Sequence, residues 1–377
     1  MRKYFSLLAT TGLAALPAIS MAAAPSLSDV LGASGISAQG YFSGGYTAGF
    51  NKGQVLAGHT FDTDANTFAL NQADLTLSSL PSSGFGALVE VLAGNDASVV
   101  NGSLGSGKGD FALPQAYLQY ATGNLTVIGG RYWTLAGAEV TADSKNTNIS
   151  RSFLFQLAEP FAHTGVRATY KFCDQLSANV GIANTATTAM TADTNKPKTA
   201  EANVTFTPSS TTTLALTDYY GVDGGNGATE VRHNYLDGVA SLNITSALQF
   251  VANVDWARFI PVDGAGPAAG IYGAAGYLNY TFSDQWKGSL RGEYLKSSGG
   301  YLVAYDKTDG KAQVSEVTFT ADYSAAKNFD VLGEVRYDMG DQLYPNPGSD
   351  TVNGTDFSSH QSEVEVKAIY KFGTPTS

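Results

Sequence analysis

The chain holds a single cysteine, Cys173, so no internal disulfide can form. Proline is scarce, 12 residues against 42 glycines, 20 tyrosines and 19 phenylalanines. That balance suits one large sheet, because aromatic side chains pack well on a pleated surface and proline interrupts a ladder. Beyond the N-terminus there is no run of about eighteen apolar residues, which excludes a membrane-spanning helix. Lysine and arginine, 22 together, are outnumbered by 33 acidic residues, a formal net charge of −11. An acidic chain is a poor partner for nucleic acid. Histidine is rare too. His59, His163, His233 and His360 lack the close spacing of a metal site, and no motif sets a serine beside them. No metal, cofactor or catalytic residue is therefore expected. The acidic run at 62–66 has half the pattern of a calcium loop but lacks its glycine and distant glutamate, and reads as a solvated outer loop.

At the N-terminus, Arg2 and Lys3 precede a mostly apolar stretch from Leu7 to Ile19, and Ser20-Met21-Ala22 offers small residues for cleavage. Residues 1–22 read as a signal peptide. Its removal takes away two positive charges and leaves the chain more acidic. A short segment, 23–34, follows. It is too small for a globular plug and long enough for a small helix.

The rest of the chain shows period two. Residues 362–372 read S-E-V-E-V-K-A-I-Y-K-F, with Val364, Val366, Ala368, Tyr370 and Phe372 on one face. Glu363, Glu365, Lys367 and Lys371 fall on the other, and Ile369 is the exception. Similar alternation recurs sixteen times, at about 35–50, 67–79, 84–94, 113–121, 124–134, 163–173, 175–184 and 199–207, then 212–220, 234–245, 247–259, 270–282, 286–296, 314–324, 328–338 and 362–372. Connections alternate between short turns and long segments rich in Gly, Asn and Asp. Tyr120, Phe172, Phe206, Phe282, Trp286, Tyr323, Phe329 and Phe372 cluster beside the short turns, as an interfacial girdle would. The expected fold is all-β: an antiparallel, up-and-down transmembrane β-barrel of about 16 strands over residues 35–372, with a tail at 373–377. A soluble barrel would have to hide the same apolar exterior, and nothing in the chain could cover it.

Several blocks in the first half resemble the OmpL-like family of outer-membrane β-barrel porins of Gram-negative bacteria. They are N-T-F-A-L-N-Q-A-D-L-T-L (66–77), P-Q-A-Y-L (114–118), G-N-L-T-V-I-G-G-R-Y-W-T-L-A-G-A-E (123–139), N-I-S-R-S-F-L-F (148–155) and E-P-F-A-H-T-G-V-R-A-T-Y (159–170). After the seventh strand, 182–185 lacks the N-G-W-D-like turn expected of the family. The resemblance implies a porin in the cell outer membrane but supplies no substrate and no functional residues.

If the apolar face meets lipid, the charged strand positions face the lumen. The expected pore-lining set is Glu90, Arg131, Arg167, Lys171, Glu201, Asp255, Arg291, Glu293, Glu316, Glu334, Arg336, Glu365 and Lys367. The segment 135–162 is the longest connection. It carries Glu139, Asp143, Lys145, Arg151 and Glu159 together with Phe153, Leu154, Phe155 and Phe161, too many apolar residues for a plain surface loop. It is expected to fold into the bore as a constriction, with Arg131 and Arg167 beside it. The functional reading is passive diffusion of small hydrophilic solutes or ions. The implied partners are outer-membrane lipid and lipopolysaccharide, the barrel-assembly machinery, which would read Phe372, and a second and third copy in a homotrimer. A closed barrel serving as an adhesin or structural protein remains an alternative, as does an outer-membrane enzyme.

Overall fold

The computed structural model describes residues 27–50, 56–103, 109–186, 195–225, 228–264, 266–299, 311–345 and 357–373. The expected signal peptide at 1–22 and most of the tail lie outside them. Sixteen antiparallel strands close a barrel in chain order. They are β1 (Ser37–Gly49), β2 (Thr67–Ser79), β3 (Gly84–Ala93), β4 (Phe111–Thr122), β5 (Leu125–Trp133), β6 (Ala162–Cys173), β7 (Leu176–Ala183) and β8 (Thr199–Ser209). The second half comprises β9 (Thr212–Gly225), β10 (Ala228–Asn243), β11 (Leu248–Pro261), β12 (Ala269–Thr281), β13 (Trp286–Ser298), β14 (Lys311–Ala326), β15 (Phe329–Pro345) and β16 (Phe357–Gly373). Among the described residues no helix is long and apolar enough to cross a membrane.

The sheet closes where β1 meets β16, from Gln39↔Gly373 to Gly49↔Glu363. Closure removes both free edges, the only way a sheet can sit in hydrocarbon without unpaired backbone groups. Phe372, on β16, stacks on Phe42 of β1 with ring centroids 5.4 Å apart. A Cβ on Gly40 would fall 2.7 Å from the Phe372 ring and 2.1 Å from the Asp74 carbonyl, so only glycine lets the seam close this tightly.

The alternation resolves as expected. Val180, Ile182, Val204, Val254 and Trp256 stand on the outer wall, as do Phe85 and Leu118. Aromatic pairs flank the short turns: Phe85–Tyr120, Tyr170–Phe172, Tyr280–Phe282 and Trp286–Tyr323. Such rings favour the lipid–water interface. Ile369 breaks the pattern because it is buried inside the barrel with Tyr41, Leu332 and Ile149, the last coming from the long inner loop.

Two helices were not part of the strand pattern. α1 (Leu27–Ala33) falls in the segment with room for one, just before β1. α2 (Asn95–Ser103) falls in the long connection between β3 and β4, outside the alternating pattern; Ala97 and Val100 seat it against Leu92 and Ala112. Residues 56–66 also depart from expectation. Phe61, Asp62 and Ala65 are buried, so this is an inward-tucked segment and not a solvated acidic loop.

Candidate pore constriction

The connection from β5 to β6 enters the barrel. Its backbone is first gathered on itself. Asn146 Nδ2 donates to the carbonyls of Val140 (2.7 Å) and Ala142 (2.8 Å), and its Oδ1 accepts from Val140 N–H. The Arg151 guanidinium donates to the carbonyls of Val140, Thr141 and Ile149 and to Asp143 at 2.9 Å. A buried guanidinium with five fixed donors suits such a hub. A single wide helical turn, Leu154–Ala158, follows.

The folded loop is then fastened to the wall. Glu334 on β15 accepts the backbone N–H groups of Ile149 (2.6 Å) and Ser150 (2.9 Å). Glu293 on β13 does the same for Phe153 (2.6 Å) and Leu154 (2.5 Å). Arg291, fully buried, bridges Glu316 on β14 at 2.6 Å and Glu139 of the loop at 2.7 Å, and donates to the Ser150 carbonyl. Arg336 pairs with Asp338 at 2.6 Å and donates to the Arg151 carbonyl. Lys367 of β16 reaches Asp143 at 3.2 Å and Glu365 at 3.7 Å. Burial alone would raise the pKa of Asp143, but Lys367 and Arg151 outweigh it and hold the carboxyl below its ordinary range.

A second tether crosses above. His59, from the tucked segment, hydrogen-bonds Asp62 (2.7 Å) and Asp338 (3.1 Å), with Glu363 at 3.6 Å. Burial works against the charged ring, yet Asp62, Glu363 and Asp338 raise its pKa well above the ordinary value. Asp62 is correspondingly lowered: burial opposes this, and His59 overcomes it.

On the other side of the loop, toward β1–β5, Ser43 donates to Asp143 at 2.7 Å and Gln72 bonds the Thr141 carbonyl and Asp143 N–H, and the rest of the packing is aromatic. Phe155 and Phe161 lie 5.0 Å apart, and Phe61 lies 6.0 and 6.1 Å from them. Arg151 sits over Phe61 and Phe155 at 5.5 and 5.8 Å. Below this cluster, toward the short-turn end, is a cavity of about 350 Å³ bordered by Gln39, Asp74, Thr76, Glu90, Lys145 and Lys371. Above it a recess of about 210 Å³ is bordered by Thr47, Phe61, Asp62, Asn71, Asn95 and Asp110. Gln115 Nε2 (2.6 Å) and Trp133 Nε1 (3.0 Å) hold Glu90 at the cavity edge. Tyr41 hydroxyl donates to Gln72, whose Nε2 bonds Asp96 at 2.8 Å.

Of the strand residues expected inside, Glu90, Arg167, Glu201, Asp255, Arg291, Glu293, Glu316, Glu334, Arg336, Glu365 and Lys367 are buried within the barrel. Arg167 pairs with Glu201 at 2.9 Å and covers the Tyr132 ring. Two are placed otherwise. Arg131 pairs across the ladder with Ala116 and Thr164, the face that carries exposed Leu118 and Val166, so it lies on the outer wall near the loop end of β5. A strand position two residues removed from Gly129 takes that glycine's face, and the missing side chain at Gly129 and Gly130 hid the register from the sequence. Arg131 therefore does not join Arg167 in a ladder at the constriction. Lys171 has the inward register but stands at the short-turn mouth, exposed and paired with Asp174 at 2.8 Å. In the loop, Glu139, Asp143 and Arg151 are buried, Lys145 is exposed to the cavity, and Glu159 hides both carboxylate oxygens. Asp237, fully buried on β10, was missed, although its alternation with Leu236 and Gly238 marks it as inward.

The comparisons with known proteins agree with this architecture. Residues 35–372 match the family described as "Putative beta-barrel porin-2, OmpL-like". No curated protein matches the chain by sequence. Among solved structures, the trimer form of OmpT, an outer-membrane protein of Vibrio cholerae, is similar at 15% identity and a TM-score of 0.63, covering 89% of this chain and 99% of that one. An anion-selective porin from Comamonas acidovorans is similar at 12% identity and a TM-score of 0.61, covering 89% and 99%. The outer-membrane channel DcaP of Acinetobacter baumannii is similar at 13% identity and a TM-score of 0.60, covering 89% and 97%. With sixteen strands, a girdled apolar exterior and an inward-folded loop, the chain belongs to the OmpL-like family of outer-membrane β-barrel porins.

Proposed function

We propose that the barrel passes small hydrophilic solutes or ions passively, along its β1–β5 side. The path runs from the outer recess, past Phe61, Phe155 and Phe161, into the cavity beside Asp74 and Glu90. The observation that carries this reading is that cavity: edged by the charged Asp74, Glu90, Lys145 and Lys371, it reaches Lys371 and Phe372 at the short-turn end, on the side where, among the described residues, no strand side chain forms an ion pair with the loop. In this reading Glu90, with Asp74, Lys145 and Lys371, meets the permeating solute. Arg291, Glu293, Glu316, Glu334, Arg336, Glu365 and Lys367 act as fasteners of the loop, and Arg167 and Glu201 stiffen the wall. Carboxylates at the cavity edge give a weak cation preference, limited by the two lysines and by screening beyond about 8 Å at physiological salt.

The aromatic cluster favours a second reading, a closed barrel with an adhesive or structural role, since three rings in contact narrow the route to a dewetting gate. An enzyme needs a nucleophile, a base and an orienting group together. The hydroxyl–imidazole pair Ser358–His360, 3.2 Å apart, does not border the cavity, so catalysis is not part of the proposal. Conductance of the purified, LPS-free protein in a planar bilayer decides. Discrete ohmic steps of small amplitude are expected, and a Phe155→Ala variant should enlarge them severalfold. Silence from both proteins would establish the closed barrel.

The exposed aromatic belts suit lipid and lipopolysaccharide contact, and Phe372 at the end of β16 suits recognition by the assembly machinery. A homotrimer is the expected assembly; native mass spectrometry of the detergent-extracted protein tests it. Export with removal of 1–22 predicts a mature N-terminus at Ala23.

A further inference from the structure

Where the loop rejoins β6, three buried carboxylates face one another, and among the described residues none of the three forms an ion pair with a basic side chain. Asp237 on β10 and Asp255 on β11 are direct cross-strand partners. Like charges directly opposite one another destabilise a sheet unless something compensates. Glu159 comes to the same point from the loop, and one oxygen from each residue lies within 4.8 Å of the others. Asp237 is 0% and Asp255 4% exposed.

Each aspartate has one oxygen already used. Asn253 Nδ2 donates to Asp237 Oδ2 at 2.7 Å, and the Tyr235 hydroxyl donates to Asp255 Oδ1 at 2.9 Å. Asp237 Oδ1, Asp255 Oδ2 and both oxygens of Glu159 are sealed from solvent with no hydrogen-bond partner among the described residues. Four orphaned oxygens of this kind are costly, because a buried charge must be paired, protonated or bound to a metal. Four carboxylates surround Glu159 and all are negative: Asp255, Asp237, Glu139 and Glu293. The latter two are answered elsewhere, Glu139 by Arg291 and Glu293 by two backbone amides. The backbone is shaped for the convergence. Gly137 has φ +88°, and a Cβ there would fall 1.9 Å from Glu159 Oε2.

We propose that Glu159, Asp237 and Asp255 bind a hard divalent cation, calcium by preference, that pins the end of the constriction loop to the β10–β11 wall. The donors are all oxygen, with no imidazole or thiolate, which selects calcium-like ions over zinc or copper. Glu159 can offer both oxygens and each aspartate one, and water completes the six to eight positions calcium takes. The other group of suitable side chains, His59, Asp62 and Glu363, is a poorer candidate among the described residues, because both His59 nitrogens are committed to carboxylates.

The test uses the full mature barrel, refolded in neutral detergent without lipopolysaccharide and shown to be folded by heat-modifiable migration. Terbium is titrated while tyrosine is excited, since the Tyr235 ring beside Asp255 sits as an antenna. Saturable emission that calcium displaces is expected, with a matching single-site heat for calcium alone. Glu159→Gln and Asp237→Asn should each weaken calcium binding at least about tenfold in folded barrels, and Glu363→Gln should leave it unchanged. The assignment is overturned if folded wild type gives neither saturable emission nor heat. It is equally overturned if magnesium binds more tightly than calcium, or if the loss follows Glu363→Gln instead. Binding is read without any current, so its failure leaves the conductance test of the pore untouched.

Discussion

On the β13–β16 side the constriction loop is held by ions; on the β1–β5 side it is held by neutral hydrogen-bonding groups, Ser43 and Gln72, and otherwise rests on rings. Arg291, Glu293, Glu334 and Lys367 grip loop backbone and side chains at 2.5–3.2 Å with almost no exposure. Each such charge, once buried, can be neither hydrated nor left alone, so moving the loop there means breaking several charge-assisted bonds at once. Phe61, Phe155 and Phe161 make contacts of about 0.5–1.5 kcal/mol per pair beyond burial, and rings can slide or rotate without leaving an unpaired charge. The difference teaches where this barrel can open. The fastened side fixes the position of the loop, and in the proposed reading the aromatic side is where solute passes.

Breaking the fastened side should produce the largest effect. Arg291→Met leaves Glu139 and Glu316 buried without their cation, a cost of about 3–5 kcal/mol. The variant should unfold on gels at a markedly lower temperature, and surviving channels should be noisier and larger than wild type. Unchanged melting and unchanged current would remove the distinction between the two sides.

Neutralising the open side should act on selectivity while leaving stability alone. Asp74→Asn with Glu90→Gln removes two carboxylates from the cavity edge. Under a salt gradient the reversal potential should move from weak cation preference toward zero or slight anion preference. Strong anion selectivity in the wild type would show that charges outside this cavity govern the current.

Titration sharpens the comparison further. The Asp62 and Asp143 carboxyls are held below their ordinary values, so each stabilises the fold above about pH 4 and loses that contribution as pH falls through its lowered pKa. His59 is raised, so its contribution is complete below about pH 6.5 and is lost only as pH rises through its higher folded value. The tether should therefore hold from about pH 4 to above 6.5. Channel noise should increase below about pH 4 and again at alkaline pH, and His59→Gln should abolish the alkaline limb and weaken the acid one, leaving the part that Asp143 carries.

The smallest effect is expected from Arg131. On the outer wall it faces neither side of the loop, and Arg131→Ala should leave the reversal potential within error of wild type. A clear shift would return this residue to the lumen.

Strand count, closure and the lipid face were legible from residues alone because alternation is a local property. Val364, Val366 and Tyr370 declare their face wherever β16 sits, and a short turn such as Asp174 declares its end of the barrel. The crowding of apolar residues in 135–162 announced that this loop would not stay in water. What no local pattern contained was partner choice. That Glu334 takes two loop amides, that Ile369 turns inward to meet Ile149, and that Asp237, Asp255 and Glu159 converge depends on contacts between positions about 20 to 220 residues apart. Arg131 shows the same limit on one strand. Two glycines gave no sign of face, and only pairing with β4 and β6 fixed it. Alternation determined which wall a side chain joins; closure of the barrel around its own loop decided which charges meet and which side stays open, because buried charges are satisfied only by the partners that the finished fold brings within reach.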